Sequence, residues 1–543
     1  MAADADRRRG ASPGGVTPRR GRSLRRFRSG WTRARSKPGA HHRAHGLSTT
    51  LLLLLLLPAI PARAAAPGFD QTLATRVFAA AFRFMAPRAL TAVSAQQLSE
   101  WGLHGITALA PDLTPQLAGA TITLTGPSGV LAKFAVPSPE DADGWAGLVA
   151  AMNAAAYHRS AALRRAGTQG VIESFFDELF NHLDPYSRYV GPVAAAADRD
   201  WRNGVAGIGV ALAGRRGDIS IGKVVSQGPA DLAGLRAGDV LRRINGVVLR
   251  DADPDYVLAE LNGPPGSVVE LTVRRGKIRQ SVTLTRADVP ADTVALTRDD
   301  GLLVLHITGF TASTADLVES ALRQAFAETH QPAGVVLDLR GNRGGLLSQA
   351  VGIASALMNR GVIATTIGRD RLADHQWVAN GPDLAQGVPM AVLVDGRTAS
   401  AAEVLAAALS DNGRAMVVGS VTYGKGLVQT IGPMPDGGEL FITWSRLLAP
   451  DGWPLQSLGV MPELCTSLGQ DATDQQLQAL ANGTSLGAGR LALHRRIRPE
   501  TPLAEIVAVR NTCPADLGHA TDMAAARFLI GNPVAYASGL APL

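Results

Sequence analysis

The feature that most constrains this chain lies between residues 295 and 465, where short apolar runs alternate with helix-length segments. GLLVLHI, GVVLDLR, MAVLVDG, AMVVGS and ELFITWSRLLA are candidates for buried strands. Between them, helical periodicity fits Thr314–Thr329, Leu346–Asn359 and Ala401–Ser410. Such alternation predicts an α/β layer built on a partly parallel sheet.

At 543 residues the chain is too long for one core. Its net charge of +7 suggests a nucleic-acid partner, but the charge is unevenly placed. Residues 1–63 hold fourteen Lys or Arg against Asp4 and Asp6, a net +12, so residues 64–543 carry 7 − 12 = −5. That balance offers no basic nucleic-acid face. The leader, 1–66, reads as an export signal. A basic stretch runs to Arg43, then an apolar run ends in seven leucines at Leu57, and Ala62-Arg63-Ala64 suits cleavage. The run is short for a bilayer span, which needs about 20 residues; left uncleaved, it would hold the protein at a membrane. Arg25-Arg26-Phe27 is a weak twin-arginine signal. No cysteine near the cleavage site supports a lipid anchor.

Residues 67–200 read as mainly helical, with one long apolar-periodic stretch from Trp145 to Leu183. Ala120–Leu124 and Leu131–Val136 could pair as strands. Dimerisation is one role open to this region. Residues 203–290 change to short β runs separated by Gly, Pro and Asn turns, with helices at Pro229–Leu235 and Pro254–Leu261. Residues 291–470 hold the α/β layer, and 471–543 are a C-terminal segment with short helices around DQQLQALA and DMAAARFLI. Cys465 and Cys513 could pair in an exported protein or stay as buried thiols. No Cys/His cluster has metal-ligand spacing, and no HExxH occurs among the eleven histidines.

Within 203–290 stands Ser226-Gln-Gly-Pro-Ala-Asp-Leu-Ala-Gly-Leu-Arg-Ala-Gly-Asp-Val-Leu-Arg-Arg-Ile-Asn-Gly246. It resembles the matching segment of PDZ domains of secreted proteases, with Gly228 inserted before Pro229. The resemblance puts Gly207, Ile208, Gly209 and Val210 at the carboxylate-binding loop. Successive N–H groups of a Gly-rich turn can hold a carboxylate, and a peptide can add as a strand beside them. A dinucleotide loop is the rival, but GIGVAL lacks the third glycine of GxGxxG.

Ser400 follows MAVLVDG and the turn RTA and precedes a helix, so by itself it is a helix cap. The same junction also aims free helix N–H groups at whatever the hydroxyl attacks. Lys425 sits in the loop Tyr423-Gly424-Lys425-Gly426, and a lysine serves as a base only where burial lowers its pKa. The run Thr398-Ala-Ser400-Ala-Ala-Glu403 through Thr422-Tyr-Gly-Lys425-Gly-Leu-Val-Gln429 resembles the carboxyl-terminal processing, or tail-specific, proteases, Ser-Lys peptidases of the S41 type. The resemblance implies Ser400 as nucleophile, Lys425 as its base and Gln429 as the residue that orients the lysine. Ala402 stands where the family usually has a second serine. Leu337-Asp338-Leu-Arg340-Gly-Asn342-Arg-Gly344-Gly345 resembles the family's D-L-R-x-N-x-G-G. Gly344 or Gly345, with Ala401, would then supply the oxyanion hole. Leu183-Asp-Pro-Tyr-Ser187 and Leu448-Ala-Pro-Asp-Gly-Trp453 resemble flanking segments, although Leu448 and Ala449 replace the usual Tyr and Thr. Asp411 also falls on a family position, and a helix-end acid is its plainer reading.

The expected protein is thus a mixed α/β Ser-Lys peptidase core with an inserted PDZ domain and an N-terminal helical region. It would be exported and cofactor-free, and would act on proteins with apolar C-termini. A PDZ scaffold with a decayed core is the rival from another class. A Ser-His hydrolase is disfavoured, because no G-x-S-x-G surrounds Ser400 and the next histidine is His494.

Overall fold

A computed structural model describes residues 68–540; the leader and its cleavage site lie outside them. The first region carries helices Gln71–Arg88, Ala95–Leu109, Ala142–Arg159 and Ala161–Phe180 around Phe78, Phe82, Phe175 and Phe176. Asp70 starts the first helix by accepting the Leu73 N–H, and Ser94 and Gln97 cap the second reciprocally. The stretch read as one helical run from Trp145 breaks at Ser160. That residue ends one helix and caps the next, accepting from the Ala162 and Leu163 N–H groups. Gly167, at φ 71°, interrupts it again. The two expected strands form as Thr121–Gly126 and Gly129–Ala135, and a third, Thr114–Ala118, pairs beside them. Its TPQLA sequence carries little apolar alternation, which is why the sequence does not announce it.

The unit at 203–290 is a six-stranded antiparallel sheet with helices Pro229–Leu232 and Pro254–Leu261. Ile208, Val257, Leu261, Val269 and Leu271 fill its core. Its ends meet where Val205–Gly207 pairs with Ala287–Val289, so the unit hangs from the rest of the chain by two adjacent strands.

The α/β layer has the strand order Val294–Asp299, Leu302–Ile307, Gly334–Asp338, Met390–Val394, Met416–Gly419, Leu464–Cys465. The first pair is antiparallel and the rest are parallel. Helices Thr314–Ala327, Leu347–Leu357 and Ala401–Asp411 bury one apolar face. Ala520–Gly531 and Pro533–Leu540 cover the other with Leu529, Ile530 and Ala535. There the Tyr536 hydroxyl accepts from the Met390 N–H at 2.7 Å. Cys465 and Cys513 form a disulfide across 48 residues.

A second sheet has the order His375–Ala379, Gly361–Gly368, Glu439–Leu448, Leu427–Pro433. Only Glu439–Leu448 was legible as a strand. Arg188–Val190 also pairs with it, and the N-terminal helices pack on its Leu440 and Ile442. The N-terminal region is therefore continuous with the core that holds the candidate site.

Candidate active site

Ser400 is lifted out of the sheet by a turn with little freedom. Asp395, buried at the end of Met390–Val394, accepts the N–H groups of Gly341, Arg397 and Thr398 on one oxygen at 2.9–3.0 Å. Thr398 donates its hydroxyl to Leu339 O, and the Ala399 N–H donates to Asn342 O. So fixed, Ser400 takes φ 60°, ψ −120°, the left-handed side that non-glycine residues rarely adopt. Such a conformation costs on the order of 1–3 kcal/mol and persists only where its surroundings impose it.

Lys425 reaches the same place from the neighbouring strand. Beyond Met416–Gly419 the chain loops back, and the Tyr423 N–H donates to Thr398 O at 2.9 Å. The carboxylate that joins the two loops is Glu403, on the first turn of the helix after Ser400 and fully buried. Oε2 accepts the N–H of Ser400 at 2.7 Å and of Lys425 at 2.9 Å. Oε1 accepts the Gly424 N–H at 2.7 Å and the Thr422 hydroxyl. Burial pushes the Glu403 carboxyl up, and these four donors pull the other way. Arg510 braces the loop from outside, donating to Thr422 O at 2.9 Å and to Leu458 O.

Ser400, Ala401, Gly345, Lys425 and Gln429 line one cavity of about 370 Å³. The Lys425 ammonium lies 5.0 Å from the centre of the Tyr186 ring. Burial lowers its pKa first, and the nearby Arg188 charge lowers it further, against Glu403 and Asp184. Arg188 is held over the Phe441 ring at 4.0 Å. Gln429 donates to Leu427 O and to Thr443 Oγ1, each at 3.0 Å, and Thr443 donates to Asp184 at 2.7 Å. Among the described residues no hydrogen bond joins the Lys425 amine to Ser400 or Gln429. The three share a cavity without being locked together, as is common for unliganded sites.

The two glycines proposed for the oxyanion hole differ. Gly344 donates its N–H to Asn342 Oδ1 at 2.8 Å, so it is unavailable; this corrects its place among the candidates. Its role is close approach, since a Cβ there would come within 2.8 Å of Ser400 Cβ. Phe310 bridges through Gly344 O and the Leu346 N–H, leaving Gly345's own N–H unused. Among the described residues, the Gly345 and Ala401 N–H groups have no protein acceptor.

In the 203–290 unit, Gly209 and Val210 line a groove of about 530 Å³ with Leu212, Leu258 and Asn262. Ile208 points into the core and Gly207 packs against Asn262, so neither lines it. Trp201 borders both this groove and the cavity that holds Ser400 and Lys425.

Residues 301–465 match the model of peptidase family S41, and residues 220–275 match a PDZ domain. The carboxy-terminal-processing protease of Bartonella bacilliformis is 31% identical over 301 residues, covering 54% of this chain and 69% of that protein. The chain belongs to peptidase family S41. A probable CtpA-like serine protease of Staphylococcus haemolyticus is 30% identical over 296 residues, covering 54% of this chain and 59% of that one. A solved photosystem II D1 C-terminal processing protease is 29% identical, with a TM-score of 0.33, covering 57% of this chain and 88% of that chain. The S41 match contains Ser400, Glu403, Lys425, Gln429 and Gly345. Tyr186, Arg188 and Arg510 lie outside it. The sequence reading missed these three, although Tyr186 stands in the quoted Leu183–Ser187 segment and Arg188 adjoins it.

Proposed function

We propose that this S41 peptidase is an exported serine endopeptidase that captures protein C-termini through its PDZ domain and cleaves by a Ser-Lys acyl-enzyme route. The observation that carries the reading is the shared cavity, where the Ser400 hydroxyl and a desolvated Lys425 stand beside two unused N–H groups. Neutral Lys425 takes the Ser400 proton as Oγ attacks the scissile carbonyl carbon. The Ala401 and Gly345 N–H groups hold the oxyanion. The lysine then protonates the leaving amine, and the C–N bond breaks. Water, deprotonated by Lys425, hydrolyses the ester and frees Ser400. Gln429, anchored through its amide nitrogen, has its oxygen free to receive the lysine and orient it.

The leader supports export, and the groove beside Gly209 and Val210 supports peptide capture by strand addition. The test uses purified protein and an unstructured substrate with an apolar tail. Ser400→Ala and Lys425→Ala should each abolish cleavage; full cleavage by both variants would overturn the Ser-Lys route, and no cleavage by the wild type would leave the PDZ scaffold as the better reading.

A further inference from the structure

A cavity of about 520 Å³ opens beside the catalytic one and shares Leu347, Val428, Gln429 and Ile431 with it. Its far wall is apolar. Leu372, on the short turn Arg371–Ala373, is 80% exposed. Trp377 is half-buried, with His375 edge-on to it at 4.5 Å, and Trp444 comes from Glu439–Leu448. Among the described residues no Asp, Glu, Lys or Arg lines it, whereas the catalytic cavity carries Arg188, Asp198, Arg202 and Arg343. A concave apolar wall with an exposed leucine beside two tryptophans suits a large apolar side chain.

The near wall is residues 428–431, four in a row. Most of its other lining residues come from His375–Ala379, Gly361–Gly368 and Glu439–Leu448, so the cavity lies over one face of this sheet and reaches its outer strand at these four residues. Among the described residues that strand, Leu427–Pro433, pairs only with Glu439–Leu448, and its register shifts between Val428 and Gln429. An open edge binds extended polypeptide through main-chain hydrogen bonds, and pockets beside it choose among side chains. The PDZ groove shares Trp201 with the catalytic cavity and no residue with this one. The apolar slot therefore meets the catalytic cavity through residues separate from the one that borders the PDZ groove.

We propose that this slot is a substrate subsite: polypeptide crossing Ser400 adds along the edge at Val428–Ile431 and seats an aromatic or long aliphatic side chain among Leu372, Trp377 and Trp444. The inference rests on the peptidase reading of Ser400. It adds a choice of sequence near the cleaved bond, separate from recognition of the tail.

The test digests peptides that share an apolar C-terminus and carry a randomised upstream stretch, using the purified chain with the products read by mass spectrometry. Large apolar residues should be enriched at one fixed distance from the cleaved bond. The ratio of kcat/KM for Phe over Ala at that position should fall about tenfold in Leu372→Asp and in Trp377→Ala, in the range of hydrophobic-pocket discrimination. Leu372 is exposed, so its substitution spares the core. No enrichment in the wild type, or a ratio unchanged in both variants, overturns the subsite while leaving the peptidase reading intact. Cleavage that persists in Ser400→Ala overturns the reading of Ser400 as the nucleophile and the subsite with it.

Discussion

Ser400 and Lys425 donate their backbone N–H groups to the same oxygen, Glu403 Oε2, at 2.7 and 2.9 Å. One fully buried carboxylate thus fixes the spacing between the two loops that carry Ser400 and Lys425, the proposed nucleophile and base. In Glu403→Gln one oxygen becomes an NH2 group that faces two donors and can accept from neither. An unsatisfied buried group costs about 1–3 kcal/mol, so a fall in stability of about 2–4 kcal/mol is expected. Turnover should drop by about 10²-fold, with kcat hit harder than KM, because misplacing the dyad by a fraction of an ångström acts on the reacting geometry. Steady-state kinetics together with denaturant melts measure both; wild-type kcat in a variant that is less stable would remove Glu403 from the site.

The pH dependence of cleavage should show an acidic limb set by Lys425, with activity rising as the amine loses its proton. Arg188 is the second cause of the lowered pKa, after burial. Removing its charge in Arg188→Met lets Lys425 hold its proton more tightly, so the limb should move to higher pH. A limb that moves down or stays would show that another group sets it.

The same lysine should weaken the fold. Its folded pKa lies below the ordinary 10.5, so the folded state binds the proton less tightly than the unfolded state. The penalty is full at pH below the folded value and vanishes as pH climbs to 10.5. Lys425→Met is therefore expected to be inactive and to melt above the wild type at neutral pH, with the gap closing in alkali. Equal melting temperatures at every pH would count against the desolvated lysine.

Asp411 behaves in the opposite sense. It accepts the Trp453 indole N–H at 2.9 Å and faces Arg495 at 3.2 Å, yet burial raises its carboxyl from 3.8 to about 7. A raised folded pKa contributes stability below 3.8 that is lost as pH rises through about 7. Asp411→Asn should flatten that part of the stability curve, because the amide still accepts from Trp453 and never ionises. Urea melts at several pH values compare the slopes.

The disulfide between Cys465 and Cys513 closes a 48-residue separation. Chain-entropy arguments give a loop of that size about 4 kcal/mol. Cys513 also donates its N–H to Arg510 O, and Arg510 holds Thr422 in the lysine loop. Cys465→Ala/Cys513→Ala should thus lower both melting temperature and kcat. Unchanged kcat in the destabilised variant would confine the disulfide to a structural role.

Where strands are uniformly apolar, as at Met390–Val394 and Met416–Gly419, burial on both faces leaves a pattern that the sequence displays. Leu427–Pro433 is an edge strand whose residues are mostly half-buried, and Gly361–Gly368 is only partly apolar, so neither carries that pattern. Ser400 and Lys425 were readable through the resemblance of Thr398–Glu403 and Thr422–Gln429 to the S41 pattern, while the strands beside them placed both on loops. Glu403 stood in that pattern with no role, since four converging donors cannot be seen without the fold. Arg188 and Arg510 approach the site from far away in the chain, where no local pattern points to them.

The helices Ala520–Gly531 and Pro533–Leu540 give the outer face of the central sheet its cover, although they follow the last residue of the S41 match. The part of this chain that can be recognised is therefore smaller than the part that can fold. A polypeptide ended at Cys465 would keep Ser400, Glu403, Lys425 and Gln429 and lose Cys513, Arg510 and Tyr536. It would leave Val336, Ala391, Leu393 and Val418 bare to water, a sticky sheet prone to self-association.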